Sequence, residues 1–207
     1  IGLFELLGYD LRDYEELFEE KFELLLKLNE EEVVNWEGQF RAPLRNAQIL
    51  PRPKNGSLPI WRAVGGAPAS AIKAGYAGVP MFLAMLGGPA SHFKNSVDAY
   101  REAARRSGFN PSELPVATAG FFFAADTTQQ AQRDYYSHIN EGMKLTNGSG
   151  FPKQQFAQGA DPRDIMNVGS PQQIIEKILY QHEMFGHQRY IAQMDFGGVP
   201  FDKLMRN

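Results

Sequence analysis

Hydrophobic positions along the chain follow two alternating rhythms. Short, nearly continuous apolar runs of strand type lie at Ile60 to Val64, Val79 to Leu86, Leu114 to Ala125 and Arg189 to Asp195, each ending in glycines or other small residues. Between them, apolar residues recur every three or four positions. Ala67 to Tyr76 predicts an alanine-rich helix with Ser70 near its start. Ala90 to Ser107 places Phe93, Val97, Tyr100 and Ala104 on one face and stops at Gly108. A helix capped by Asp126 or Thr127 runs to about Leu145. Ser170-Pro171 opens another, with Ile174, Ile175, Ile178, Leu179 and His182 at helical intervals and Gly186 as its stop. Val199 to Asn207 begins a last helix.

The first part of the chain is less regular. After Gly8, Asp10 or Asp13 can cap a helix from Tyr14 whose apolar side carries Leu17, Phe18, Phe22, Leu24, Leu25 and Leu28. Glu19, Glu20, Lys21, Glu23 and Lys27 read as its solvated face. Val33 to Phe40 predicts a short strand pair turning at Glu37-Gly38. Arg41 to Ser57, with Pro43, Pro51 and Pro53, has no periodicity and reads as a lid or docking arm. Thr146 to Asn167, polar, glycine-rich and aperiodic, reads as an exposed loop or mobile insertion.

Strand and helix thus alternate about four times, the signature of parallel βα units. A complete eight-unit barrel takes about 250 residues. A chain that opens at Ile1 in mid-pattern reads as part of a longer polypeptide, so residues 1–207 are expected to form a single partial domain covering about the last four units of a (β/α)8 TIM barrel. A doubly wound sheet is the competing architecture.

Composition narrows the function classes. The 207 residues carry a net charge of −3 and no cysteine. No Lys/Arg cluster offers a footprint for nucleic acid, and no apolar run approaches the ~20 residues of a membrane span. Without cysteine there are no disulfides and no thiolate chemistry. A cytoplasmic protein acting on a small molecule is the expectation.

Chemistry concentrates at strand ends. In Gly65-Gly66-Ala67 two glycines allow close backbone approach, and the following helix leaves first-turn amides unpaired beside Ser70, so a phosphate fits there. The same glycines also serve a tight turn with no ligand. Met85, Gln193 and Asp195 stand at the carboxyl ends of their strands, where a barrel's ligand site opens. Met85 suits a flat apolar ring and Gln193 a polar ring edge, with core filling, helix capping and loop bracing as their structural alternatives. His182 and His187 are five apart, about 140° around a helix, which does not match the four-residue spacing of a zinc helix; no metal site is expected. His92 and His138 stand alone, and there is no G-x-S-x-G elbow.

The blocks LLGYDLRDYEELFEEKFELLLKL, VNWEGQF, LPIWRAVGGAPASAIKAGYAGVPMFLAMLGG, VDAYREAARRSG, VGSPQQIIEKILYQHEMFGHQRYIAQMDFGG and PFDKLMR, spanning Leu6 to Arg206, resemble consecutive segments of the bacterial-luciferase-like flavin-dependent oxidoreductases. The resemblance implies a (β/α)8 barrel that binds reduced FMN, or in some branches a deazaflavin, at its carboxyl face. It implies contact of the cofactor phosphate with the turn at Gly65, Gly66 and Ala67 and with Ser70. It places the strand from Phe82 to Leu86, with Met85, beside the flavin ring. The implied activity is that of a two-component monooxygenase: a separate flavin reductase supplies reduced FMN, and dioxygen and a small organic substrate complete the reaction. Hydride transfer from a deazaflavin, or flavin binding without turnover, are the rivals. A homodimer is also implied. The first four units of such a barrel, which supply much of the flavin pocket, have no counterpart in these blocks.

Overall fold

The computed structural model describes residues 2–207, so Ile1 lies outside it. The chain divides into two compact units, 1–60 and 61–207.

The first unit contains α1 (Gly2–Leu6), a 3-10 turn (Leu11–Asp13), α2 (Tyr14–Glu30), β1 (Val34–Trp36) and β2 (Leu44–Ala47). Asp10 caps the 3-10 turn by accepting from the Arg12 amide at 2.8 Å, whereas Asp13 makes no capping bond. The strand partner of β1 is not found within Val33 to Phe40. β1 pairs antiparallel with β2, which lies inside the segment read as aperiodic, and the connection crosses Glu37-Gly38 without turning tightly there. The acidic face of α2 is not wholly solvated either. Glu20 accepts from the amides of Gln39 at 2.6 Å and Phe40 at 3.0 Å, and Lys21 donates to the Phe40 carbonyl. These charged groups supply the hydrogen bonds that an irregular connection cannot make with itself.

The second unit runs β3 (Arg62–Gly65), α3 (Pro68–Tyr76), β4 (Met81–Ala84), α4 (Ser91–Arg106), β5 (Val116–Ala124), α5 (Thr128–Asn147), α6 (Lys153–Gln158), β6 (Asn167–Gly169), α7 (Pro171–Phe185), β7 (Arg189–Gln193) and α8 (Phe201–Leu204). All five strands are parallel: β3 pairs with β4, β4 with β5, and β5 with both β7 and β6. Residues 117–119 of β5 pair with β4 and with β7, so these two lie on opposite edges of β5. The alternation of parallel strands and helices is that of the expected barrel units. Two caps stand as the sequence predicts: Thr127 accepts from Gln130 N–H and Ser170 from Gln173 N–H.

Two readings are corrected. Residues 146–167 are not an exposed loop: Phe151, Phe156, Ile165 and Met166 are buried, α6 lies within the segment, and Asn167 opens β6. Phe151, Phe156 and Met166 pack with Phe121 and Phe123 of β5 and Tyr135 and Ile139 of α5. The buried face of α7 is also rotated from the one its aliphatic residues suggest. It carries Ile174, Lys177, Gln181 and Phe185, while Ile175 and Leu179 are about half exposed, at 52% and 56%. Lys177 is held on that face because its ammonium has partners there. The Lys177 ammonium donates to the carbonyls of Gly159 and Met166, fastening the 148–166 segment to α7.

Candidate functional site

The carboxyl end of β3 and the start of α3 form the sharpest feature of the sheet's ligand end. Proline at the first helical position fixes φ without spending an amide, and Ala67 as N-cap has no side chain to bond back. The amides of Ala67, Ala69 and Ser70 are therefore left without intrahelical partners. A Cβ at Gly65 would meet nothing within 4 Å, whereas one at Gly66 would stand 3.1 Å from the Phe93 ring. Gly65, Gly66 and Ala67 are exposed and Ser70 is half-buried. An open helix N-terminus with a glycine approach fits a phosphate. No Lys or Arg lies between residues 65 and 70.

Strand register extends this turn into a shelf. Gly65, Ala84, Ala119 and Ile191 stand side by side across β3, β4, β5 and β7, and paired residues of a parallel sheet share a face. Three of the four are glycine or alanine, so the carboxyl end of this face is low and apolar. One step back along the strands, Ala63, Phe82, Ala117 and Arg189 form the next row, where Arg189 lies over the Trp61 ring at 5.3 Å. The opposite face carries Val64, Met81, Leu83 and Met85, all essentially buried beneath helices.

The residues singled out from sequence divide accordingly. Gly65 is part of the shelf, and Gly66, Ala67 and Ser70 form the turn at its edge. Gln193, half-buried, projects from the same face as Ile191, and Asp195 is exposed in the loop beyond β7. Met85 belongs to the other face, with no exposed surface, because strand alternation sends it with Met81 and Leu83. It fills the core and does not adjoin the shelf.

The histidine pair takes a different form from a helical one. α7 ends at Phe185, Gly186 turns left-handed at φ 57°, and His187 folds back so that its carbonyl meets His182 Nδ1 at 2.8 Å. Burial, with His182 nearby, holds the His187 pKa below its usual range. His138 Nδ1 lies 3.2 Å from the Gly197 carbonyl. Among the described residues, no three His, Asp or Glu side chains cluster as a metal site, and no helix is long and apolar enough to cross a membrane.

Sequence reading missed Asp164 and Lys177. Asp164 is 7% exposed and its carboxyl pKa is raised by burial. Lys177 is fully buried, and desolvation depresses its ammonium pKa to about 8 against the pull of Asp164. Asp164 also borders a cleft of about 760 Å³, shared with Gly88, Ser91, Gln155, Arg163 and Tyr180. A charged residue within an apolar helical rhythm carries no local signal that it will be buried.

Comparison with known proteins places these features in context. Residues 3–188 match the family described as luciferase-like monooxygenase. No curated protein matches the chain. Among solved structures, the monooxygenase RslO1 from Streptomyces bottropensis superposes with a TM-score of 0.84 at 24% identity, over 99% of this chain and 61% of its own. The oxygenating constituent of 3,6-diketocamphane monooxygenase from Pseudomonas putida, in complex with FMN, gives 0.56 at 20% identity, over 90% of this chain and 58% of its own. Coenzyme F420 dependent tetrahydromethanopterin reductase from Methanopyrus kandleri gives 0.60 at 16% identity, over 83% of this chain and 54% of its own. The chain spans about three fifths of the length of the first of these.

Proposed function

The chain belongs to the luciferase-like monooxygenase family, and from that premise we propose that it is a flavin-dependent monooxygenase that uses reduced FMN and dioxygen to oxidise a small organic substrate. The observation that carries the proposal is the register-aligned row of Gly65, Ala84, Ala119 and Ile191 meeting the open helix N-terminus of α3. A low apolar shelf that ends in an anion-binding turn matches a flat ring bearing a phosphate tail.

In this reading the amides of Ala67, Ala69 and Ser70 hold the phosphate, with Gly65 and Gly66 allowing it close and the Ser70 hydroxyl beside it. The Gly/Ala row seats the ring and keeps water from its face. Gln193, on the same face, offers both a donor and an acceptor to a polar ring edge. Asp195 stands at the mouth. When bound, the reduced flavin supplies the electrons for dioxygen, so the chain's own work is binding, orientation and water exclusion. A flavin reductase as transient partner, a homodimer and a cytoplasmic setting complete the proposal.

A second reading, hydride transfer with a deazaflavin, draws support from the turn itself. With no Lys or Arg between residues 65 and 70, it suits a singly charged phosphodiester as well as a terminal phosphate. The experiment is oxygen uptake by the protein with FMN, NADH and a flavin reductase, set beside anaerobic reduction of oxidised F420 by secondary alcohols. Substrate-dependent oxygen consumption above that of the reductase alone is the expected result. Reduction of the deazaflavin by the alcohol, without oxygen uptake, overturns the monooxygenase reading.

A further inference from the structure

We propose that Ser96, on α4, is a positioning residue that aims the Ala67 amide at the bound phosphate, an inference that rests on the phosphate reading above. Ser96 is fully buried, and its hydroxyl donates to the Gly66 carbonyl at 2.7 Å. That carbonyl precedes the helix N-cap and has no place in the ladder of α3, so a side chain from another element supplies its partner. The consequence follows from peptide geometry. In a trans peptide the N–H points opposite to the C=O of the same unit. Drawing the Gly66 oxygen toward α4 turns the Ala67 N–H away from α4, at an exposed residue next to the unpaired first-turn amides of Ala69 and Ser70.

The turn also rests on α4 through Phe93, whose ring lies 3.1 Å from where a Gly66 Cβ would stand. One helical turn of α4, from Phe93 to Ser96, thus sets both the height of the turn and the orientation of its leading peptide. The helix that follows the second strand organises the anion site at the end of the first.

Two substitutions test this without relying on turnover. Ser96→Ala removes the buried donor. Ala67→Pro deletes the proposed amide donor directly; Ala67 sits at φ −79° and ψ 124°, which proline accepts, and it is exposed, so no packing changes. Dissociation constants for FMN and for riboflavin, which lacks the phosphate, are measured by flavin fluorescence on the protein and on both variants. Each variant is expected to bind FMN about 5- to 20-fold more weakly, as for loss of one charge-assisted hydrogen bond, with riboflavin affinity unchanged within about twofold. Unchanged FMN affinity in either folded variant, or equal losses for FMN and riboflavin, overturns the proposal. If Ser96→Ala does not fold, Ser96→Cys, which keeps the side-chain shape with a much weaker donor, takes its place beside Ala67→Pro. A parent protein with no preference for FMN over riboflavin overturns the phosphate reading and this inference together, a result distinct from a preference that survives both substitutions.

Discussion

Gly75 sits where α3 crosses α4, and replacing it with alanine sets two effects of known size against each other. In an exposed helix interior, Gly→Ala is stabilising by about 1 kcal/mol, because glycine gives up the most backbone freedom on folding. At position 75 the new Cβ would stand 2.3 Å from the Tyr100 carbonyl oxygen, 2.8 Å from the Ala103 Cβ and 2.9 Å from the Ala104 amide nitrogen. Two of these atoms are backbone, and all belong to a helix that buries Val97, Tyr100, Ala103 and Ala104. No side-chain rotation relieves the contact, so the helices must separate by roughly 1 Å in a close-packed interior. That movement also strains the buried bond from the Tyr100 hydroxyl to the Val79 carbonyl, 2.7 Å long, in a site where burial pushes the phenol pKa to about 12. Overpacking at the severe end costs ~3 kcal/mol, which leaves a net loss of ~2 kcal/mol after the helix-propensity gain. At about 2–4 °C per kcal/mol for a chain of this size, the melting temperature should fall by about 4–8 °C. Thermal and urea unfolding of Gly75→Ala measure it, with Gly65→Ala as control, since a Cβ there meets nothing within 4 Å and should change stability by less than ~0.5 kcal/mol. A Gly75→Ala protein as stable as its parent, or more stable, would refute the helix crossing.

Other consequences follow from buried or braced charges. The Lys177 pKa falls from 10.5 to about 8, so its burial opposes folding while the ammonium is charged. Below pH 8 that cost is fully present, and between about pH 8 and 10.5 the folded form sheds its proton ahead of the unfolded chain. Stability relative to Lys177→Met should therefore rise with pH across that window, by up to ~3 kcal/mol; urea midpoints of the pair at pH 7 and pH 10 that keep a constant difference would contradict it. In the first unit, Glu20→Ala should release the Gln39 and Phe40 amides at a cost of ~1 kcal/mol, speeding their hydrogen exchange about fivefold. Exchange at both positions matching the parent would show that the carboxylate does not hold this connection.

Much of the second unit was legible because its signals are local. The strand at β3, its glycine turn, the caps at Thr127 and Ser170, Pro171 at the first turn and the glycine stops depend on neighbours within a few residues, and the alternation of such elements specifies parallel βα units. The turn Gly65-Gly66-Ala67 and the helix start that carries Ser70 were equally readable as a glycine-proline break between strand and helix. What the sequence could not settle depends on partners distant along it. β6 is three residues long, too short for any periodicity, and exists because Phe122, Phe123 and Ala124 offer it a ladder. β2 hides in a proline-bearing stretch until β1 pairs with it. Strand alternation alone could have warned that Met85 shares the face of Met81 and Leu83, but which face lies under helices is decided by packing. The same holds for α7, where Lys177 enters the interior because the carbonyls of Gly159 and Met166 wait there to receive it. Ser96 reaches Gly66 across 30 residues of chain. Sequence thus determined the elements and the turn that can meet an anion; tertiary structure decided which faces are buried and which way the peptides point, because those follow from contacts no local pattern encodes.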